Sequence, residues 1–264
     1  MKTRLALVFI HGLLGFDRLR LGPVTLDYFR GVRQCLADLP VDCYFPRLQP
    51  AATVERRARR LVAFLEPLGS RPRCLIGHSR GGIDARYVAA KADPSRLVRH
   101  VTTIGTPHRG TPLADWFQRY GGALFRPLVA ELTTEACQRF NRAVSDREDI
   151  PYVSYAGSRP LAEMPLWYRP WTSLIARAAG DNDAQVPVSS ACWGQACHVV
   201  RADHLELIGW SLGRANPAIE RPFDHLRFYR HIAEQILDNV DGSQRSPCST
   251  TKHTMITKYS DREM

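Results

Sequence analysis

The pentapeptide Gly77-His78-Ser79-Arg80-Gly81 has the pattern Gly-x-Ser-x-Gly of a nucleophile held on a sharp strand-to-helix turn. Such a turn exposes the serine hydroxyl, and the positions flanking it must be small because two backbones crowd there. The helix that follows aims its N-terminus at the hydroxyl and favours negative charge developing beside it. The pattern alone arises often by chance. Here an apolar run, Cys74-Leu75-Ile76, precedes it, and Gly82 with an Ala-rich segment follows. That context favours a reactive Ser79 over a Gly-rich turn with an incidental serine.

A serine hydroxyl needs a base to become a nucleophile. Around a turn of this kind the chain order is Ser, then Asp or Glu, then His, which favours His198, His204, His225 or His231 among the nine histidines. His204 is the expected base. It follows the β-like run His198-Val199-Val200 and heads a short helix expected over 205–212, where a loop can deliver an imidazole to the edge of a sheet. His225 and His231 fall in an amphipathic terminal helix and read as surface or packing residues. The expected acid is Asp183, in the polar segment 180–187, where a carboxylate would hold the imidazole tautomer. Asp181 is its rival, and a loop carboxylate that caps a turn is the bland alternative. An oxyanion also needs donors. The backbone amides of Leu13, in Ile10-His11-Gly12-Leu13-Leu14-Gly15, and of Arg80 are the expected pair, with His11 shaping the loop.

These groups must be carried by a sheet. Leu5 to Ile10 is a continuous apolar run, as expected of a strand buried on both faces. Helical patterns over 27–39, 53–68 and 81–91 alternate with strand-like runs at 41–45, 74–76 and 100–104, an order that implies an α/β fold with a mostly parallel sheet and helices on both faces. Further on, 131–144 reads as a helix, 152–156 as a strand and 224–240 as a helix. The domain is expected to span 1–241, with 242–264 a polar, disordered tail.

The 264 residues suit one α/β domain, and 44% hydrophobic content supports a large core. The net charge of +10 arises in residues 1–100, with 18 Lys/Arg against 8 Asp/Glu. Its densest run, Glu55-Arg56-Arg57-Ala58-Arg59-Arg60, reads as a solvated helix face, and no nucleic-acid motif accompanies it. The seven cysteines include no CxxC pair, so a zinc ribbon or redox motif has no support. Most read as small buried hydrophobes, with room for one disulfide using Cys192 or Cys197. Lys2 and Arg4 ahead of the first apolar run superficially resemble a signal peptide. Six apolar residues before His11 fit a strand better, so a cytoplasmic location is expected. No stretch approaches a membrane span.

Three segments together resemble a known family: Val8-Phe9-Ile10-His11-Gly12-Leu13-Leu14-Gly15-Phe16-Asp17, Gly77-His78-Ser79-Arg80-Gly81-Gly82 and Thr103-Ile104-Gly105-Thr106-Pro107-His108-Arg109-Gly110. They are similar to the true lipases typified by Pseudomonas and Burkholderia triacylglycerol lipases, in the α/β-hydrolase superfamily. Gly180-Asp181-Asn182-Asp183 and Asp203-His204-Leu205 match in the same order. The resemblance implies the α/β-hydrolase fold, ester hydrolysis by Ser79, Asp183 and His204, and, for most members, secretion. Members also carry a structural calcium, held partly by an aspartate two residues after the histidine. That position is Glu206 here, and 158–180 contains Glu163 but no aspartate, so no metal or other cofactor is expected. The family's disulfide cysteine would fall near Ser189, and Arg80 stands where Gln or His is more usual.

The aromatic-rich segment 106–173 falls where this fold carries a cap or lid. Leu113, Phe117 and Phe125, with Leu14 from the oxyanion loop, are expected to line an acyl pocket, ordinary core being the alternative. The expected substrate is an acyl ester or lipid, with contact to a lipid interface. An acyltransferase or thioesterase would use the same triad, and a non-catalytic binding module is the reading from another class.

Overall fold

A computed structural model describes residues 4–13, 15, 18–21, 24–211, 223–242 and 255–258. Strand β1 (Leu5–Ile10) is buried along its whole length. Its alternate side chains serve opposite faces of the sheet. Leu5, Leu7 and Phe9 meet Phe228, Tyr229 and Ile232, while Val8 and Ile10 meet Leu61, Ala85 and Val88. β1 pairs in parallel with β4 (Val41–Tyr44) and β5 (Arg73–His78), Leu7 lying opposite both Cys43 and Cys74. The sheet continues from β5 through β6 (Val98–Ile104), β7 (Tyr152–Gly157), β8 (Ala196–Val200) and β9 (Met255–Lys258), every pair parallel. An antiparallel hairpin, β2 (Arg18–Leu21) and β3 (Val24–Asp27), stands apart from it.

Helices α2 (Val54–Leu65) and α3 (Arg80–Lys91) cover one face of this sheet; α1 (Val32–Cys35) and α9 (His225–Gly242) cover the other. Thr53 starts α2 by accepting the Arg56 N–H at 3.4 Å, a cap that satisfies one of the helix's orphan donors. The chain leaves β1 for β4 on one side and returns to β5 on the other. The carboxyl ends of β1 and β5 therefore flank the point where strand order reverses, the usual crevice for a site in an α/β sheet.

Several expected elements differ in extent. The helix expected over 27–39 is the single turn of α1, because Asp27 ends β3 and Gly31 takes a left-handed φ of 69°. Phe29, Val32 and Leu36 are nevertheless buried. The helix expected over 131–144 breaks at Thr133, which is extended and caps α6 (Thr134–Ala143) by accepting the Ala136 N–H at 3.2 Å. The helix expected over 205–212 is one turn, Glu206–Ile208, ended by left-handed Gly209; Leu212 lies outside the described residues. The stretch expected to be a polar tail supplies β9, which pairs with β8 from Ala196↔Met255 to Val199↔Lys258.

The cap region is also built differently. Strand β7 runs through the stretch 106–173, so the single insertion expected there is two excursions from the sheet. The first, between β6 and β7, carries α4 (Pro112–Tyr120), α5 (Gly122–Val129) and α6. The second, between β7 and β8, carries α7 (Arg169–Ala179) and α8 (Val188–Ala191). They meet where the Trp171 ring packs 5.4 Å from that of Trp116 and 5.3 Å from that of Phe117. Cys192 and Cys197 form a disulfide between the end of α8 and β8, and Cys35, Cys43, Cys74 and Cys137 are free thiols. No described helix is long and apolar enough to cross a membrane.

Candidate active site

Ser79 stands between β5 and α3 with a φ of 55°, a left-handed value that costs a non-glycine residue energy. Its hydroxyl does not cap α3. Arg80 is the first residue of α3, so its amide has no partner within the helix and points where anionic charge is stabilised. The loop after β1 comes close to the serine: a side chain at Gly12 would run into Ser79 Cβ at 2.9 Å. Leu13 follows in a turn that Gly15 closes by donating its N–H to the Gly12 carbonyl at 3.3 Å. Leu14 lies outside the described residues.

Asp183 and His204 are buried together. His204 Nδ1 donates to Asp183 Oδ2 at 2.7 Å, and the His204 amide donates to the Asp183 carbonyl at 3.0 Å. The other carboxylate oxygen, Oδ1, accepts the amides of Gln185 at 2.9 Å and Val186 at 2.7 Å. The carboxylate is thus fixed from both ends, and a donor at Nδ1 leaves Nε2 as the basic nitrogen of a neutral imidazole. Gly105, φ 55°, leaves room for the pair. A side chain there would sit 3.1 Å from Asp183 Oδ2 and 3.2 Å from His204 Nδ1. The rival Asp181 is exposed. Of the other candidate histidines, His225 and His231 lie on α9 and His198 on β8.

A buried chain of hydrogen bonds joins the loop after β1 to the His204 turn. The Gly12 amide donates to the Tyr28 hydroxyl at 3.1 Å, Tyr28 meets His78 Nδ1 at 2.8 Å, and His78 Nε2 meets the His204 carbonyl at 3.1 Å. A carbonyl only accepts, so His78 Nε2 carries the proton. Nδ1 then accepts from the Tyr28 hydroxyl. Burial, followed by the proximity of His204, holds the His78 pKa well below its ordinary value, so it stays neutral. Burial raises the Tyr28 pKa.

Charged side chains brace the same elements. Arg57 is fully buried: Nε donates to Asp84 Oδ2 on α3 at 2.8 Å and Nη2 donates to the His11 carbonyl at 2.6 Å. The solvated reading of the arginine run therefore holds for Arg56, Arg59 and Arg60, which are exposed, and fails for Arg57. Helical spacing explains it, since Arg57 falls with Val54, Ala58 and Leu61 on the buried side of α2. The Arg80 side chain, 2% exposed, pairs with Glu131 at the turn after α5 and donates to the Ala52 carbonyl. Glu131 in turn accepts the Val54 amide that opens α2.

The calcium expected of the resembled family meets an unsuitable donor set. Glu206 Oε2 accepts Arg159 Nε at 2.8 Å and the Asp203 amide at 2.8 Å, and Oε1 accepts Arg159 Nη2 at 3.0 Å. A guanidinium thus already occupies this carboxylate, and no group of three or more His, Cys, Asp or Glu able to hold a metal occurs among the described residues. These residues do not fit calcium.

Of the expected pocket residues, Leu113 and Phe117 are half-buried on α4 and Phe125, on α5, is 46% exposed. Phe117 belongs to a ring cluster with Trp116, Phe125 and Trp171. Sequence reasoning missed Tyr28, His78, Arg57 and Arg159. Of these, His78 lies inside the pentapeptide and Arg57 inside the arginine run.

A sheet with its crevice at the β1/β5 reversal, a strained serine on a strand-to-helix turn and a buried Asp–His pair, whose imidazole lies 4.6 Å from that of His78 next to the serine, are the features of an α/β-hydrolase fold. Residues 70–189 match the family model of a PGAP1-like alpha/beta domain. The chain is 27% identical over 268 residues to triacylglycerol lipase 2 of Saccharomyces cerevisiae, covering 77% of this chain and 80% of that protein. It is 39% identical over 118 residues to a Vibrio cholerae triacylglycerol lipase, covering 43% of this chain and 36% of the other. To the Pseudomonas fragi triacylglycerol lipase it is 33% identical over 157 residues, covering 57% and 51%. The matched region thus spans about a third to a half of these bacterial relatives. Among solved structures, a metagenomic carboxyl esterase superposes with a TM-score of 0.75 at 17% identity, over 90% of this chain and 77% of that one. Staphylococcus hyicus lipase does so with 0.67 at 17% identity, over 93% and 98%. The chain has the α/β-hydrolase fold and is similar in sequence to triacylglycerol lipases.

Proposed function

We propose that this protein hydrolyses lipid esters through an acyl-enzyme on Ser79, with His204 as base and Asp183 as its orienting acid. The observation that carries the reading is the buried His204–Asp183 pair, 2.7 Å apart, whose geometry leaves Nε2 to accept a proton. Ser79 Oγ attacks the ester carbonyl carbon as its proton passes to His204 Nε2. The carbonyl electron pair moves onto oxygen, where the Leu13 and Arg80 amides receive it. As the intermediate collapses, His204 returns the proton to the departing alkoxide. Water then attacks the acyl-enzyme by the same route, giving the carboxylic acid and free serine.

The cap supports a lipid rather than a soluble substrate. Tyr120, Leu124, Phe125, Leu166 and Trp167 are between 46% and 77% exposed, the kind of apolar surface that marks an interaction site. Residues 116–130 and 164–180 contain four arginines and no acid, and Arg119, Arg126 and Arg177 are exposed. An apolar surface flanked by cations fits a lipid interface.

The test is Ser79→Ala. Activity on a nitrophenyl ester should fall by about four orders of magnitude with the melting temperature retained, and an alkyl phosphonate should label the wild type at Ser79 alone. Near-native turnover in the folded variant would overturn the reading.

A further inference from the structure

Arg159 sits just past the carboxyl end of β7 with its side chain 1% exposed. Its backbone amide donates to the Asn182 carbonyl in the Asp183 loop at 3.2 Å. Its guanidinium makes two bonds to Glu206, one through each carboxylate oxygen, and its remaining nitrogen, Nη1, donates to Glu163 Oε2 at 2.9 Å. Arg201 pairs with Glu163 from the solvent side. Two arginines and two glutamates thus form a neutral four-member network, with three members almost sealed from water. Burial works against the Glu163 charge, but Arg201 and Arg159 outweigh it and hold the carboxyl below its ordinary value.

The network ends on His204. Glu206 Oε2 accepts the Asp203 amide, and Asp203 Oδ1 accepts the amides of Leu205 and Glu206, both at 2.9 Å. These bonds define the turn that carries the imidazole. One planar cation therefore ties the Asp183 loop, the His204 turn and the start of the second cap excursion. Its fork geometry suits a two-oxygen grip that an ammonium point charge reproduces poorly.

We propose that Arg159 is a positioning residue, a built-in cation that holds the His204 turn in register without a metal ion. This rests on the reading of His204 and Asp183 as base and acid, and two kinds of measurement keep the two claims apart.

The first kind is kinetic, on a soluble short-chain ester. Arg159→Met should lower kcat about tenfold or more while KM stays within about twofold, because misplacing a base by a fraction of an ångström costs rate rather than binding. Arg159→Lys should recover only part of kcat. Removing both partners in Arg159→Met/Glu206→Leu eliminates the unpaired buried carboxylate, so Tm should return toward wild type, while kcat stays low because the Asp203 amide has lost its acceptor. Return of kcat together with Tm would make the network merely structural and overturn the proposal. So would wild-type kcat in folded Arg159→Met.

The second kind needs no activity. Calcium and chelator should leave the wild-type Tm unchanged, and the low-field proton resonance of the His204–Asp183 hydrogen bond should weaken in Arg159→Met. A chelator-induced fall in Tm reversed by calcium, or an unaltered resonance, would overturn it. Wild-type turnover no higher than that of Ser79→Ala would instead sink the functional reading and leave these two measurements to decide the role of Arg159.

Discussion

A histidine can act as a base only if something fixes which nitrogen is bare and where it points. Asp183 fixes the tautomer of His204, but its carboxylate cannot by itself fix the height of the ring above the serine. The turn that carries the ring is also held by a bond to its carbonyl from His78, which is itself locked by Tyr28. Tyr28 also takes the Gly12 amide, so one hydroxyl sets the loop after β1 and, through His78, the His204 turn. Tyr28→Phe keeps the ring and removes only that hydroxyl, leaving a buried amide and a buried ring nitrogen without partners. Such groups cost about 1–3 kcal/mol each when orphaned. The variant should fold with a lower Tm and lose about tenfold in kcat on a soluble ester with little change in KM. A stability loss with kcat intact would show that the chain of bonds supports the core and not the chemistry.

The strands and helices differ in how plainly the sequence announces them. β1 is legible because burial on both faces demands an unbroken apolar run, and 5–10 supplies one. The strand-to-helix turn at Ser79 is legible as a local signal, and chain order points to Asp183 and His204, which the structure brings into contact. Arg159 and Tyr28 are not: each acts through a partner 47 or 50 residues away, Glu206 and His78, and no periodicity reports such pairings. β9 stayed hidden because a four-residue edge strand, Met255-Ile256-Thr257-Lys258, is too short to show a period. The cap was legible as composition but not as architecture, since aromatic residues mark both a ring cluster and an outer surface. The structure shows both roles side by side. Phe117 is packed among rings; Leu124 and Phe125, on α5, are 76% and 46% exposed, with Phe125 at the edge of that ring cluster. Leu124→Asp and Phe125→Asp should therefore fold, leave acetate ester turnover near wild type, and reduce both long-chain ester kcat/KM and binding to phospholipid vesicles. An unchanged ratio of long-chain to short-chain kcat/KM, with vesicle binding intact, would make this face ordinary surface.

At the scale of the whole molecule, the interior is built to keep imidazoles neutral, and that should make the fold acid-labile. His78, His100 and His108 are buried at 1%, 2% and 0% exposure. Burial depresses the pKa of each: that of His100 to about 4, those of His78 and His108 well below the ordinary 6.5. Above 6.5 neither the folded nor the unfolded chain protonates these groups, and their stabilising contribution is fully present. Between 6.5 and about 4 the unfolded chain binds protons that the folded chain refuses, so stability falls as pH falls. Asp203 works in the opposite sense. Burial, then the Glu206 charge, raises its pKa to about 6, so the fold gains from its protonation below that point. A substitution at one histidine separates the two effects. His100 Nε2 meets only Thr102 Oγ1, at 3.0 Å, and its Nδ1 is buried without a partner, so His100→Leu sacrifices one hydrogen bond at neutral pH, about 1 kcal/mol. It also removes a group whose proton linkage costs the wild-type fold nothing at neutral pH and about 3 kcal/mol by pH 4. Urea unfolding should find the variant slightly less stable than wild type near pH 7 and progressively better relative to it as pH drops, the two curves crossing between 6.5 and 4. Parallel stability curves over that range would mean that the wild-type fold accommodates a charged His100 and that its acid sensitivity, if any, arises elsewhere.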